Sequence, residues 1–248
     1  MIDSVIVTDD GAVRIIRMNR PDKKNALTQP MYAEMTRALR EIQTSEAVRC
    51  VMFAGSPGAF SAGSDIADFL KAAEGGLKPI TLDFLDALAR NQKPLVAAVD
   101  GIAVGIGTTM LLHCDHVVAS SRTVLSTPFT KLGLVPEAAS SLLAPLRMGH
   151  ARAFAMLVMG RSLSAAEAKD AGLINTVVDA GEAESVARKA ADEIAAIPAG
   201  AVALARRLMR GDVDHIIARI DLEAGHFKER LQSDEARAAF TAFLSRKK

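Results

Sequence analysis

The sequence predicts an α/β fold that ends in a helical C-terminal region. Three observations carry this. Over the first half of the chain, apolar strand-like runs alternate with helix-patterned runs. Crossover connections and a largely parallel or mixed sheet require that arrangement. After about residue 138 the strand signal thins to one run, Leu173–Val178, while helical patterns continue to the end. Hydrophobic residues fill 50% of the 248 positions with no tryptophan and one tyrosine. Small aliphatic side chains must therefore make the core, which suits helices lying close on a sheet.

The elements follow in order. Ile2–Thr8 and Val13–Met18 are short β-rich runs joined by Asp9-Asp10-Gly11, a hairpin composition. From Pro30 to about Thr44, Met31, Met35, Leu39 and Ile42 recur at helical spacing. Val48–Ala54 is a nearly unbroken apolar run closed by Gly55-Ser56-Pro57-Gly58, as in a strand buried on both faces. A helix is expected over Thr81–Arg90, then strands at Leu95–Val99 and Asp115–Ala119. Helices are expected at Ala138–Leu146, Ala151–Met159, Ala165–Ala171, Glu182–Ala196 and Pro198–Arg210, and a last one over Ile217–Phe243. Ser164 and Glu167 have the spacing of a capping box. These elements divide into an α/β core over 1–195 and a helical region over 196–248.

Thirty basic residues against twenty-nine acidic ones leave a formal charge of +1, without the basic excess of a nucleic-acid binder. Cys50 and Cys114 each sit in an apolar run with no Cys-x-x-Cys pair, which predicts two buried reduced thiols. The N-terminal residues do not have the pattern of a secretory signal, and the last three are not a peroxisomal tripeptide. Asp100 and glycines interrupt the longest apolar stretch, so no membrane span is expected. The expectation is a soluble, cytoplasmic protein.

Two segments could bind a ligand through the backbone. Gly58-Ala59-Phe60-Ser61-Ala62-Gly63-Ser64-Asp65-Ile66 follows a buried strand and leads into a helix, and its small residues permit close backbone approach. Asp100-Gly101-Ile102-Ala103-Val104-Gly105-Ile106-Gly107-Thr108-Thr109 repeats that situation after the next buried strand. Two such turns could converge on one oxygen atom as an oxyanion hole, in which each donor typically contributes ~3–4 kcal/mol in the transition state. Glu137 follows Pro136 at the junction between an irregular segment and a helix. An acid there is either a helix-start charge, stabilised by roughly 0.3–1 kcal/mol, or a placed proton carrier. His113, His116 and His150 lack metal-ligand spacing, so no metal site is expected.

Seven short pieces, in order, carry a resemblance. They are Asn19-Arg20-Pro21 with Asn25-Ala26-Leu27; Phe60-Ser61-Ala62-Gly63-Ser64-Asp65; Lys93-Pro94 through Asp100-Gly101; Gly105-x-Gly107; Cys114-Asp115; Leu132-Gly133-Leu134-x-Pro136; and Ala165-x-Glu167-Ala168 through Gly172-Leu173. With them the chain resembles the enoyl-CoA hydratase/isomerase (crotonase) family over nearly its whole length. The resemblance implies a crotonase-like spiral of ββα units, coenzyme A thioester substrates, no cofactor beyond the coenzyme A of the substrate, and a homotrimer or dimer of trimers. It also gives the helical region a part in trimerisation and in contacts with coenzyme A.

Carried over by position, the thioester oxygen would be met by the backbone amides of Ser64 and Ile106. The family usually has glycine where Ile106 stands, so its side chain must find room. Lys23 and Ala26 match positions that line the coenzyme A site, and Lys247 resembles a C-terminal lysine near its phosphates. Ser61, Ala62, Gly63, Asp65, Ile66 and Phe129 complete the implied substrate contacts. Asp65 and Asp68 equally suit helix capping. Lys71–Leu85 is the segment expected to shape the acyl-tail pocket.

The departures choose the reaction. Hydratases of the family carry two glutamates, at positions held here by Thr109 and Phe129. Without them the usual two-carboxylate activation of water is lost. Thr-Pro-Phe-x-x-Leu-Gly-x-x-Pro-Glu-x-x-Ser-Ser, over 127–141, instead resembles the 3-enoyl-CoA (delta-3, delta-2) isomerases of peroxisomal type and their bacterial relatives, and so does Phe243-Leu244-Ser245-Arg246-Lys247. That resemblance makes Glu137 the single catalytic acid of an enoyl-CoA isomerase. The alternatives are a hydratase-like crotonase that activates water with Glu137, and a noncatalytic acyl-CoA-binding subunit. A serine peptidase is excluded because the glycine turn offers threonines and no serine nucleophile.

Overall fold

The computed structural model describes residues 3–68 and 79–245. Lys247 and the first part of the Lys71–Leu85 segment lie outside the described residues.

β1 (Val5–Asp10) and β2 (Val13–Met18) form an antiparallel hairpin whose turn uses Gly11 at φ +59°. α1 (Gln29–Glu41) then crosses over, and β3 (Cys50–Gly55) pairs parallel with β2. From here the chain repeats one unit. β3 is followed by β4 (Ala59–Ser61), β5 (Leu95–Val99) by β6 (Ile102–Val104), and β7 (His116–Ser120) by β8 (Val124–Ser126). In each pair the first strand joins a six-stranded sheet ordered β1-β2-β3-β5-β7-β10, with β10 at Thr176–Val178. The second joins a four-stranded sheet ordered β4-β6-β8-β9, with β9 at Leu163–Ser164. A helical turn follows each second strand, so the fold is a spiral of ββα units.

The three-residue strands are a correction to the sequence reading, which treats 58–66 and 100–109 as plain turns. A strand of three residues is too short to show alternation, and its glycine-rich flanks read as loop. The glycines are needed where the two sheets meet. A methyl on Gly55 would stand 2.5 Å from the Ala59 carbonyl oxygen, a separation that real side chains do not tolerate.

The first strands are apolar throughout because both faces of the large sheet are covered. Ile16, Met18, Val51, Phe53, Ala97 and Val99 face α1 and α2 (Pro79–Arg90). Cys50, Met52, Ala54, Val96, Ala98 and Val118 face the other way. There α7 (Ala183–Ala196) lays Ala183, Ala187, Ala191 and Ala195 on the sheet, a four-residue repeat on one helix face that lets it approach closely.

The remaining helices are α3 (Ile106–Thr109), α4 (Ser140–Met148), α5 (His150–Leu157), α6 (Ala165–Asp170), α8 (Ala199–Arg210), α9 (Val213–Leu231) and α10 (Asp234–Ser245). The capping box of α6 is formed: Ser164 accepts from the Glu167 amide while the Glu167 carboxylate accepts from the Ser164 amide. The single helix expected over 217–243 is two helices. Ser233 breaks it, accepting the Ala236 amide hydrogen at 3.2 Å as a cap for α10. α4 begins at Ser140, so Glu137 lies outside the first helical turn and does not serve as a helix-start charge.

Candidate active site

Two backbone turns meet at the junction of the sheets. Asn25, buried in a left-handed conformation at φ +54°, ties the first in place. Its side-chain amide donates to the Ser56 and Ala59 carbonyls at 3.1 and 2.7 Å, and its oxygen accepts from the Arg20 amide at 2.8 Å. Next to it, Leu27 forms a parallel bridge with Ser64. The Leu27 amide donates to the Gly63 carbonyl and the Asp65 amide to the Leu27 carbonyl, both at 2.8 Å. A bridge of this kind uses the groups flanking Ser64, so the Ser64 N–H faces the opposite side. No acceptor among the described residues engages it.

The second turn packs against the first, backbone to backbone. A methyl on Gly63, whose φ is +86°, would lie 2.8 Å from the Val104 carbonyl oxygen, and one on Gly107 would lie 2.9 Å from that of Ser61. Gly105, at φ +55°, precedes α3, so the Ile106 amide is the first N–H of the helix and has no partner among the described residues. Such first-turn amides have no acceptor within their own helix. The Ile106 side chain finds its room in the core, 3% exposed.

Ser64 and Ile106 both border a cavity of about 160 Å³. Ala62, Gly63, Ser64, Ile66, Gly105, Ile106, Phe129 and Glu137 line it, with Leu132, Leu134, Phe227 and Phe240 among the apolar remainder. Of the implied site residues, Ser61 and Asp65 support the wall from behind. The Ser61 hydroxyl donates to the Asn25 carbonyl and accepts from the Gly63 amide, and Asp65 pairs with Arg20 at 3.0 Å and caps the Ala67 amide. Asp68 likewise accepts from the Gln29 amide. Lys23 and Ala26 stand outside the cavity, Lys23 exposed.

Glu137 is the only titratable side chain lining the cavity among the described residues, and it is 7% exposed. Thr109 donates its hydroxyl hydrogen to Glu137 Oε1 at 2.5 Å. The Glu137 carboxyl is raised to about 8, chiefly by burial, with the Thr109 hydrogen bond pulling it down and the charge of Glu223 pushing it up. Desolvation penalises the charged form of an acid, so a buried acid with few donors keeps its proton to higher pH. Ala138 and Ala139 follow at φ +61° and +55°. Non-glycine residues held there cost of order 1–3 kcal/mol each, and such strain persists where surrounding contacts dictate it.

Several of these residues lie beyond the sequence reading. Thr109 figures there only as a missing acid. Phe227 and Phe240 come from α9 and α10, and nothing local marks them as cavity walls. Tyr32 of α1 shares a 2.8 Å hydrogen bond with the Ser64 hydroxyl. Glu223 is buried, and a signal for it exists: it occupies the apolar stripe Ile216, Ile220, Phe227, Leu231 of α9. An acid in such a stripe needs a partner.

No cluster of three metal-ligating side chains occurs among the described residues, and no described helix is long and apolar enough to cross a membrane. Cys50 and Cys114 are buried free thiols.

Two interleaved sheets with strand-to-helix turns converging on a buried carboxylate define the crotonase class of α/β protein. The chain belongs to the enoyl-CoA hydratase/isomerase family, whose family model matches residues 8–248. It is 34% identical over 251 residues to rat enoyl-CoA delta isomerase 2, covering 98% of this chain and 64% of that protein. The chain thus spans less than two thirds of that relative's length. It is 30% identical to a probable enoyl-CoA hydratase of Rhizobium meliloti, covering 99% of this chain and 96% of that one. An enoyl-CoA hydratase/isomerase structure from Pseudoalteromonas atlantica superposes with a TM-score of 0.93 at 36% identity, covering 98% of each chain.

Proposed function

We propose that this protein is an enoyl-CoA isomerase that moves the double bond of a 3-enoyl-CoA to the 2-trans position, with Glu137 as its sole proton carrier. The observation that carries this reading is that, among the described residues, the cavity is lined by one acid, Glu137, together with Ser64 and Ile106, whose amides have no partner there. In this reading the ionised Glu137 takes a proton from the carbon next to the thioester carbonyl. Electrons move toward that carbonyl, giving a dienolate whose oxygen rests on the Ser64 and Ile106 amides. The protonated Glu137 then returns the proton two carbons further along. One group thus acts as base and acid in turn, which a carboxyl with its pKa raised toward neutrality serves well. No water is consumed, so positions 109 and 129 need no acid.

Coenzyme A belongs to the substrate in this proposal, and no separate cofactor takes part. Its contacts would come from Lys23, Ala26 and Lys247, with Ala62, Gly63, Ile66 and Phe129 about the acyl end and Ser61 and Asp65 bracing that wall. A homotrimer or dimer of trimers belongs to the same reading. Leu146, Leu208 and Met209 are 74%, 75% and 88% exposed, apolar surface that a subunit contact would cover. Light scattering tests that mass. A cytoplasmic setting is supported by the two free thiols.

The deciding experiment is a panel of 3-enoyl-CoA esters of increasing chain length, followed by formation of the conjugated thioester, with native protein and Glu137→Gln. Native turnover that the variant abolishes, while still binding acyl-CoA, is the expected result; undiminished turnover in the variant overturns it. Because one relative is named a probable hydratase, a 2-enoyl-CoA is run in parallel. Accumulation of 3-hydroxyacyl-CoA there would favour water activation by Glu137.

A further inference from the structure

Glu223 lies on α9, 84 residues beyond the site it touches. It is 5% exposed, on the helix face otherwise made of Ile216, Ile220, Phe227 and Leu231. Both of its carboxylate oxygens are engaged by the backbone just after Glu137. Oε2 accepts the Ala139 amide hydrogen at 2.6 Å and Oε1 accepts that of Ser141 at 2.9 Å. These are amides at the start of α4, and no local side chain caps that helix.

The turn needs such a holder. Ala138 and Ala139 are consecutive left-handed residues, a conformation alanine does not favour by itself. A second contact acts on the same turn: the buried His113 ring donates from Nε2 to the Ala138 carbonyl at 2.8 Å. Burial holds that imidazole neutral, its pKa lowered to about 3, and a carbonyl can only accept, so Nε2 carries the proton. The turn is thus gripped at the carbonyl of 138 and at the amides of 139 and 141, directly behind the carboxyl that faces the cavity.

We infer that Glu223 is a positioning residue for Glu137: by accepting the Ala139 and Ser141 amide hydrogens it fixes the left-handed turn that presents the Glu137 carboxyl to the cavity. This rests on the reading of Glu137 as the base. The inference ties that base to the helix that also supplies Phe227 to the cavity wall. The charged and titratable groups facing this pair are few. Glu223 acts on Glu137, whose own charge is felt by Tyr32 of α1, while Arg219, which also donates to the Ser141 hydroxyl at 3.3 Å, acts on Glu223.

Glu223→Gln tests this in the full-length protein. An amide has one acceptor oxygen, and its NH2 group must face one of the two backbone N–H groups. Three readouts apply: hydrogen–deuterium exchange of the segment 136–142, the titration of Glu137 followed by 13C-glutamate NMR, and kcat against KM on a 3-enoyl-CoA. Expected are exchange faster by roughly tenfold, a Glu137 titration moved to lower pH, and kcat down roughly tenfold or more with KM nearly unchanged. Glu223→Asp, which keeps the charge and both acceptors on a shorter arm, should recover part of kcat.

Unchanged exchange overturns the inference. So does a loss of kcat that only follows the folded fraction, by circular dichroism, with the Glu137 titration unmoved. Should Glu223→Gln fail to fold, Glu223→Asp carries the same three readouts, with smaller shifts in the same directions expected. If native protein converts no 3-enoyl-CoA, or Glu137→Gln retains turnover, the base assignment falls instead. Exchange and the Glu137 titration then decide the turn-holding role alone, supporting it if both shift and overturning it if neither does.

Discussion

Thr109 donates its hydroxyl hydrogen to the Glu137 carboxylate over 2.5 Å, across 28 residues of chain. The position where the family's hydratases are expected to carry a glutamate therefore serves, in this chain, as a hydrogen-bond donor to the acid that lines the cavity. A hydroxyl supplies one hydrogen and no charge, so it orients Glu137 and moderates its hold on the proton without fixing it as an ion pair.

Replacing Thr109 by valine keeps the shape and removes that donor. Hydrogen bonds to charged groups contribute about 1.5–3 kcal/mol, so kcat/KM at neutral pH should fall about 10- to 100-fold. The hydroxyl favours the ionised form of Glu137. Its loss should therefore push the pKa governing kcat/KM above about 8, and a pH–rate profile of the variant reads that shift directly.

Activity should rise with pH as Glu137 ionises, levelling off above about 8. Stability should run the opposite way. The folded-state pKa of about 8 lies above the ordinary 4.5, so between those values the folded protein holds a proton that the unfolded chain has released. This group thus costs nothing below pH 4.5, and its destabilisation grows as pH rises through the window. Glu137→Gln removes the effect. Urea unfolding should find the variant more stable than native protein at pH 9, by an amount on the order of 2–5 kcal/mol at most, and nearly equal at pH 4.

Gly63→Ala should disable the turn proposed to hold the oxyanion. Its φ of +86° disfavours a side chain, and the added methyl would meet the Val104 carbonyl at 2.8 Å. The two turns would separate, and kcat should fall by roughly two orders of magnitude, the typical effect of losing one oxyanion donor. Gly181→Ala is the control, because its φ of +90° carries similar strain with nothing within 4 Å of the new methyl. It should lower the unfolding midpoint slightly and leave turnover alone.

Much of this was legible in the linear sequence because the signals were local. Val13–Met18 is found where the pattern puts it, as are the apolar strands around Val51 and Val96, because a strand covered on both faces must be apolar at every position. The Ser164–Glu167 capping box formed because its two partners are three residues apart. The short strands β4, β6 and β8 were hidden, since three residues cannot display a period and each is stabilised by neighbours in the second sheet. The single C-terminal helix failed for a related reason: the cap at Ser233 is one side chain in an otherwise helical pattern.

By itself the sequence determined the class of fold and marked the two glycine-rich turns and Glu137 as candidates, because apolar periodicity and short motifs act over a few residues. The tertiary structure alone decided what surrounds that acid. Thr109 arrives from one ββα unit, Glu223 and Phe227 from α9, and Phe240 from α10. The proton affinity of Glu137 follows from its burial among them, and desolvation is a property of packed neighbours that no local spacing records.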